Sequence, residues 1–217
     1  MNKITPIQLQ PPAPQSYLYT RPIKILGFAG SLRISSYNRL LLKSAADLLP
    51  EQTQLKIIEL NDIPLYNQDV ETTAGIPNPV LRFKRAIEQA DAILITTPEY
   101  NHSYPGVLKN AIDWASRPSG KSSFMGKPVA VMSAAPGMFG GVAAQDQLKQ
   151  VLVGMGMHVV AQPAVIVANA QKKFDANNVL TDADARNFMR RLLANLVDLT
   201  RRITRPEECL VVSCGPS

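Results

Sequence analysis

Ala92-Ile93-Leu94-Ile95-Thr96-Thr97-Pro98-Glu99-Tyr100-Asn101-His102-Ser103-Tyr104-Pro105-Gly106 is the stretch on which the fold turns. Residues 92–96 form an apolar run of strand length, short enough for one strand buried on both faces. The middle is polar and aromatic, and Pro105 opens a helical pattern that ends at Trp114. Open α/β proteins place their ligands beyond the carboxyl ends of such strands. Upstream, Ile23-Lys24-Ile25-Leu26-Gly27-Phe28 is a second strand that empties into Gly30-Ser31-Leu32-Arg33-Ile34-Ser35-Ser36-Tyr37-Asn38. Together the two loops point to a flat, phosphorylated cofactor.

Strand-like runs and helix-period segments alternate outward from this centre, the pattern of a parallel sheet covered on both faces. Leu41, Ala45, Leu48 and Leu49 mark a helix ending near Pro50, and a strand follows at 55–59. Asn78-Pro79 predicts a helix cap and a first-position proline, with Val80, Phe83 and Ile87 on one face. After Pro105 the apolar face is Leu108, Ala111, Ile112 and Ala115, and Pro118 helps to end that helix. A strand is expected at 128–132. A third loop, Ala134-Ala135-Pro136-Gly137-Met138-Phe139-Gly140-Gly141, then leads to a helix carrying Leu148, Val151, Leu152 and Met155.

A fifth strand is placed at 158–167. Thr181 with Asp184 forms a capping-box pattern before Ala185, Phe188, Leu192, Leu196 and Leu199. Five strands alternating with five helices predict an α/β, flavodoxin-like three-layer sandwich: a five-stranded parallel sheet with helices on both faces. One domain at 23–203 is expected, flanked by a loosely ordered arm at 1–22 and a tail at 204–217.

The 217-residue chain carries a net charge of +6, and no apolar run approaches the length of a membrane span. The arm lacks the charged start and apolar centre of a secretory signal. Cys209 and Cys214, the only cysteines, sit in the tail, so the core needs no disulfide and a cytoplasmic location is expected. No Lys/Arg run is interleaved with aromatics, and Arg186, Arg190, Arg191, Arg201, Arg202 and Arg205 cluster on or after one late helix, which argues against nucleic-acid binding. The positive charge is suited to steering an anionic ligand toward the protein.

In the predicted sheet, the loops after strands one, three and four meet at the point where strand order reverses. The first loop offers Ser31, Arg33, Ser36 and Asn38 ahead of a helix, so hydroxyls, an amide, a guanidinium and backbone N–H groups can surround a phosphate. Two commoner nucleotide motifs fail. Gly27-Phe28-Ala29-Gly30-Ser31 lacks G-x-G-x-x-G spacing, and Gly120-Lys121-Ser122 has Ala115 where a phosphate-binding loop needs its first glycine. Glu99, Tyr100 and Asn101 supply an aromatic plane and edge hydrogen bonds for a heteroaromatic ring. Gly137, Gly140 and Gly141 allow backbone to approach closely, and their N–H groups suit negative charge on a reduced ring.

Three ordered motifs resemble the NADPH-dependent FMN reductase family, flavodoxin-like enzymes that include quinone, chromate and azo-dye reductases. They are Gly30-Ser31-Leu32-Arg33-x-x-Ser36-x-Asn38; Pro98-Glu99-Tyr100-Asn101 with Pro105-Gly106-x-x-Lys109-Asn110-x-x-Asp113-Trp114; and Gly137-x-x-Gly140-Gly141. The resemblance spans residues 23–167. It implies that Ser31, Arg33, Ser36 and Asn38 hold the FMN phosphate, that Pro98, Glu99, Tyr100 and Asn101 contact the ribityl chain and isoalloxazine, and that residues 137–141 close over the ring. Relatives carry hydroxyls where Ala134 and Ala135 stand, which leaves the backbone at Ala135 and the Ser133 side chain as candidates there. His102 stands where relatives often have Tyr or Gly, at the expected substrate mouth.

The implied activity passes reducing equivalents from NADPH or NADH through FMN to quinones or similar acceptors, such as azo dyes, chromate and free flavin. Because the flavin carries the hard chemistry, no catalytic side chain and no metal are expected. The rival reading is a non-enzymatic flavodoxin-type electron carrier, against which the positive charge speaks; a third is a flavin-free interaction module. The apolar helix after Pro105, with Val107, Leu108, Ala111, Ile112 and Trp114, predicts a homodimer or homotetramer.

Overall fold

The computed structural model describes residues 21–203, so most of the expected arm and all of the expected tail, with Cys209 and Cys214, lie outside the described residues. The elements in chain order are β1 (Ile23–Ala29), α1 (Tyr37–Ala45), β2 (Thr53–Ile58), α2 (Gln68–Thr73), α3 (Asn78–Gln89), β3 (Ala92–Thr97), α4 (Gly106–Ala115), β4 (Pro128–Ala134), α5 (Val142–Gly154), β5 (His158–Val159), β6 (Val165–Val167) and α6 (Ala183–Ile203). All strand pairings are parallel, in the order β2-β1-β3-β4-β5, with β6 also on β4. The chain therefore has the expected flavodoxin-like α/β sandwich.

Period-two alternation in the strands builds one core on each face of the sheet. Ile23, Ile25, Leu94 and Met132 pack with α1 and α6 through Leu41, Leu42, Met189, Leu192, Leu193 and Leu196. Leu26, Phe28, Ile93 and Ile95 pack on the other face with Phe83, Ile87, Leu108, Ile112, Leu148 and Leu152 of α3, α4 and α5. Phe28 meets Phe83 edge to face at 5.3 Å, a favoured aromatic geometry. Every residue of β3 is buried, which is why its sequence is a continuous apolar run rather than an alternation.

Four local expectations are corrected. The single strand at 158–167 is two: β5 pairs with Pro128 and Val129, and β6 with Met132 to Ala134. Pro163 lies between them and has no N–H to offer the ladder. The last helix is capped by Asp182, not by the Thr181–Asp184 pattern: its Oδ1 accepts from the Ala185 N–H at 2.8 Å. Thr181 instead donates its hydroxyl to the Lys173 carbonyl, and Phe188 is exposed rather than part of the α6 core face. In α3 the cap is Pro77, so Asn78 already belongs to the helix. The short helix α2 was not anticipated, because residues 60–77 have no apolar face and α2 buries no residue.

Arg21 is anchored against Asp91 by a two-pronged ion pair, both contacts at 2.7 Å. Among the described residues no helix is long and apolar enough to cross a membrane.

Candidate cofactor-binding site

The sheet order brings the three loops to one rim. Ala29 is in register with Thr96 and Thr97 with Ser133, so β1, β3 and β4 end side by side. Gly30 N–H closes the first strand end onto the Thr96 carbonyl at 2.8 Å. A Cβ on Gly30 would lie 3.0 Å from Leu108, so the residue's lack of a side chain lets the loop leave close to α4.

The first loop is built as an anion cradle. Ser36 is the N-cap of α1, its buried hydroxyl accepting from the Asn38 N–H at 3.3 Å. Ahead of it, the N–H groups of Leu32, Arg33, Ile34 and Ser35 make no hydrogen bond among the described residues. Backbone donors left without partners at the positive end of a helix are the usual setting for a bound phosphate. The Ser31 hydroxyl, on a buried residue, also has no hydrogen-bond partner among the described residues, and Arg33 is exposed with no ion pair among them. These groups form a donor set suited to a dianion.

Asn38 has a different place from the expected one. Its Nδ2 donates to the Ala134 carbonyl at 2.8 Å and its Oδ1 accepts from the Ala134 N–H at 2.9 Å, so the buried carboxamide ties the first loop to the end of β4. Thr96 adds a hydroxyl bond to the Asn38 carbonyl at 2.9 Å. Asn38 thus holds the first loop against β4, with its carboxamide engaged by Ala134.

In the second loop, Pro98 is buried, while Tyr100, Asn101 and His102 are exposed. Tyr100 and Ser103 exchange both backbone hydrogen bonds, at 2.9 and 3.1 Å, around Asn101 and His102, whose φ values are 51° and 60°. This is a two-residue hairpin of the I′ kind, and left-handed backbone at two consecutive non-glycine residues is costly. The Glu99 carboxylate accepts from the Ala143 and Ala144 N–H groups at 3.0 and 3.2 Å, acting as the N-terminal cap of α5. This carboxylate oxygen is engaged by the start of α5, beside the third loop, and Glu99 thereby ties the second loop to that helix.

The third loop is held from beneath. Ser133, fully buried, donates to the Gly140 carbonyl at 2.6 Å and accepts from Gln145 Nε2 at 2.8 Å. The Ala135 N–H donates to the Val167 carbonyl, and its own carbonyl accepts from Ala170. The donors expected from Ser133 and Ala135 are therefore taken up inside the protein. Gly140 and Gly141 have φ values of 61° and 94°, and a Cβ at either would collide with Ile166 or Ser133. Their glycine identity follows from packing onto β4 and β6. Gly137 is exposed with open space around its Cβ position.

The Lys109-Asn110-x-x-Asp113-Trp114 motif grips the 60–77 connection. Asn110 Nδ2 and Trp114 Nε1 both donate to the Pro64 carbonyl at 2.8 Å, and Asn110 Oδ1 accepts from the Tyr66 N–H. Tyr66 stacks edge-on against Trp114 at 4.9 Å, with Arg117 over its ring. Ile112 and Trp114 are therefore buried within this chain, and the excess apolar surface on α4 that had predicted an oligomer is absent. A cleft of about 590 Å³ beside Lys24, Lys56 and Gln89 opens near the amino half of β1, away from the three loops.

Sequence reasoning missed Gln145, whose buried amide donates to Ser133 Oγ of β4 and the Val165 carbonyl of β6, and Gln147, which faces the second loop. Gln147 Nε2 donates to the His102 carbonyl and its Oε1 accepts from the Ser103 hydroxyl, both at 2.7 Å.

A parallel sandwich with a loop of unpartnered N–H donors at its switch point is the arrangement of the nucleotide- and flavin-binding class of open α/β proteins. The chain belongs to the NADPH-dependent FMN reductase family, whose model matches residues 23–172. It is 45% identical over 181 residues to an NAD(P)H-dependent FMN reductase of Pseudomonas aeruginosa, covering 83% of this chain and 97% of that protein. A quinone reductase of Pseudomonas putida is 45% identical over 153 residues, covering 70% of this chain and 82% of that one. Among solved structures, FerB, the flavoenzyme NAD(P)H:(acceptor) oxidoreductase of Paracoccus denitrificans, superposes with a TM-score of 0.73 at 37% identity, covering 83% of this chain and 98% of FerB.

Proposed function

We propose that this chain is an FMN-dependent NAD(P)H oxidoreductase that delivers reducing equivalents to quinone-like acceptors. The observation that carries the reading is the run of unpartnered N–H groups from Leu32 to Ser35, beside Ser31 and Arg33 and ahead of α1. These donors fit a phosphate monoester. Bound FMN supplies the hydride chemistry, taking it from the nicotinamide and passing it on. Ser31, Arg33 and the N-terminus of α1 hold the phosphate. Ser36 and Asn38 keep that loop in shape. Pro98, Tyr100 and Asn101 would contact the ring, and the loop at Gly137 would close over it. No side chain need act as acid or base, since the rim is open to water.

A reduced nicotinamide donor points to the cytoplasm as the working compartment. Leu32, Ile34, Met138 and Phe139, 43%, 89%, 73% and 69% exposed, stand around the first and third loops, and a second copy of the chain covers them in a homodimer. Sedimentation as a monomer at micromolar concentration would overturn that assembly.

The test of the function is to reconstitute the protein with FMN, reduce it anaerobically with NADPH or NADH, and add a quinone. Rapid bleaching of the flavin spectrum followed by its return on adding quinone is expected. A flavin that stays oxidised until a protein donor is supplied would establish the carrier reading instead. A protein that takes up no FMN overturns both.

A further inference from the structure

We propose that Gln147 is a positioning residue for the flavin ring, acting through the Tyr100–Ser103 hairpin; this rests on the FMN reading above. One carboxamide meets two successive residues of the turn. Gln147 Nε2 holds the His102 carbonyl at 2.7 Å and Oε1 holds the Ser103 hydroxyl at 2.7 Å. The turn they clamp is one with a cost of its own, since Asn101 and His102 both have positive φ without being glycine. Such a conformation persists where its surroundings over-determine it.

The clamp has a second point on the same helix. One turn before Gln147, the Ala143 and Ala144 N–H groups hold the Glu99 carboxylate at 3.0 and 3.2 Å. Residues 99–103 are thus fastened to α5 at both ends, by Glu99 at the start and by His102 and Ser103 at the finish. The third loop leads directly into α5 through Gly141, so α5 links the second and third loops. Tyr100 and Asn101, the ring-flanking residues, lie between the two fastenings. Gln147 is exposed and both ends of its carboxamide are engaged by the turn, so its effect on the ring is transmitted through the turn.

Replacing it tests this without disturbing the core. Gln147→Met keeps side-chain length and removes both hydrogen bonds. Ser103→Ala removes one of them from the other side. In the FMN-free protein, hydrogen exchange at the Tyr100 and Ser103 amides should quicken in Q147M, with the cooperative melting retained. In the FMN-loaded protein the FMN dissociation constant should rise about fivefold, and the visible circular dichroism of the bound flavin should change. Combined with S103A, the loss should be smaller than the product of the single losses, because both remove one interaction. Unchanged exchange overturns the clamp, and faster exchange with unaltered FMN affinity and dichroism overturns its positioning role. Wild-type protein that takes up no FMN overturns the cofactor reading itself, an outcome visible before any variant is made.

Discussion

Asn38 and Ala134, 96 residues apart, are joined through both backbone groups of one residue: the Asn38 carboxamide donates to the Ala134 carbonyl and accepts from its N–H. A side-chain amide here mimics a neighbouring strand, extending the end of β4 toward the first loop. Asn38→Ala leaves both Ala134 groups buried without partners. Loss of about 2–4 kcal/mol in urea unfolding of the FMN-free protein is expected, at two buried hydrogen bonds. A stability within about 0.5 kcal/mol of wild type would show that the bridge does not contribute.

Arg33 differs because its side chain is exposed and its proposed role is toward the FMN phosphate. Arg33→Ala should leave FMN-free stability nearly unchanged yet raise the FMN dissociation constant about tenfold or more, the worth of one charge-assisted hydrogen bond. The remaining affinity should vary less with salt. Fluorescence titration at two ionic strengths measures both.

Glycines in the third loop divide into two kinds. At Gly140 a Cβ would sit 2.5 Å from Ile166 Cγ2 and 2.9 Å from the Ala168 nitrogen at a φ of 61°. Gly140→Ala should cost about 2–4 kcal/mol from strain and overpacking together. At Gly137 nothing lies within 4 Å. Gly137→Ala should change stability by less than about 0.5 kcal/mol, and a loss of FMN affinity in that variant would report how near the backbone comes to the flavin.

Acid sensitivity has one source at Asp91. Burial on its own would raise this carboxyl, but the Arg21 guanidinium, the Lys24 N–H and the Lys127 ammonium outweigh it and hold the group below its ordinary 3.8. The folded state therefore binds fewer protons here than the unfolded chain, so the contribution is complete above 3.8 and is lost as pH falls through the folded value. Asp91→Asn should destabilise the protein at about pH 7 and make little difference at about pH 2, flattening the acid limb of the stability profile. Equal slopes for variant and wild type would assign that limb elsewhere.

The alternation of strands and helices was legible because each apolar run in β1, β3 and β4 is buried in full or nearly so, and each main helix keeps one apolar face. The split of the last strand was marked in the sequence only by Gln162-Pro163 within an otherwise largely apolar run, and the separate pairing of the two halves with β4 reveals it. The three loops could be placed at one rim from strand order alone. What each polar residue does there could not, because Asn38, Glu99 and Ser133 face partners 96, 44 and 7 residues away, and a one-dimensional pattern does not distinguish a donor aimed at a ligand from one aimed at another loop.

Trp114 and Asn110 suspend the 60–77 connection from Pro64, so that segment hangs on a helix rather than on the strands that end at the cradle. Leu65, turned outward beside that anchor, can be exchanged without disturbing the phosphate loop. Substitution in this chain then meets a permissive zone and a constrained one, divided at the Pro64 carbonyl oxygen.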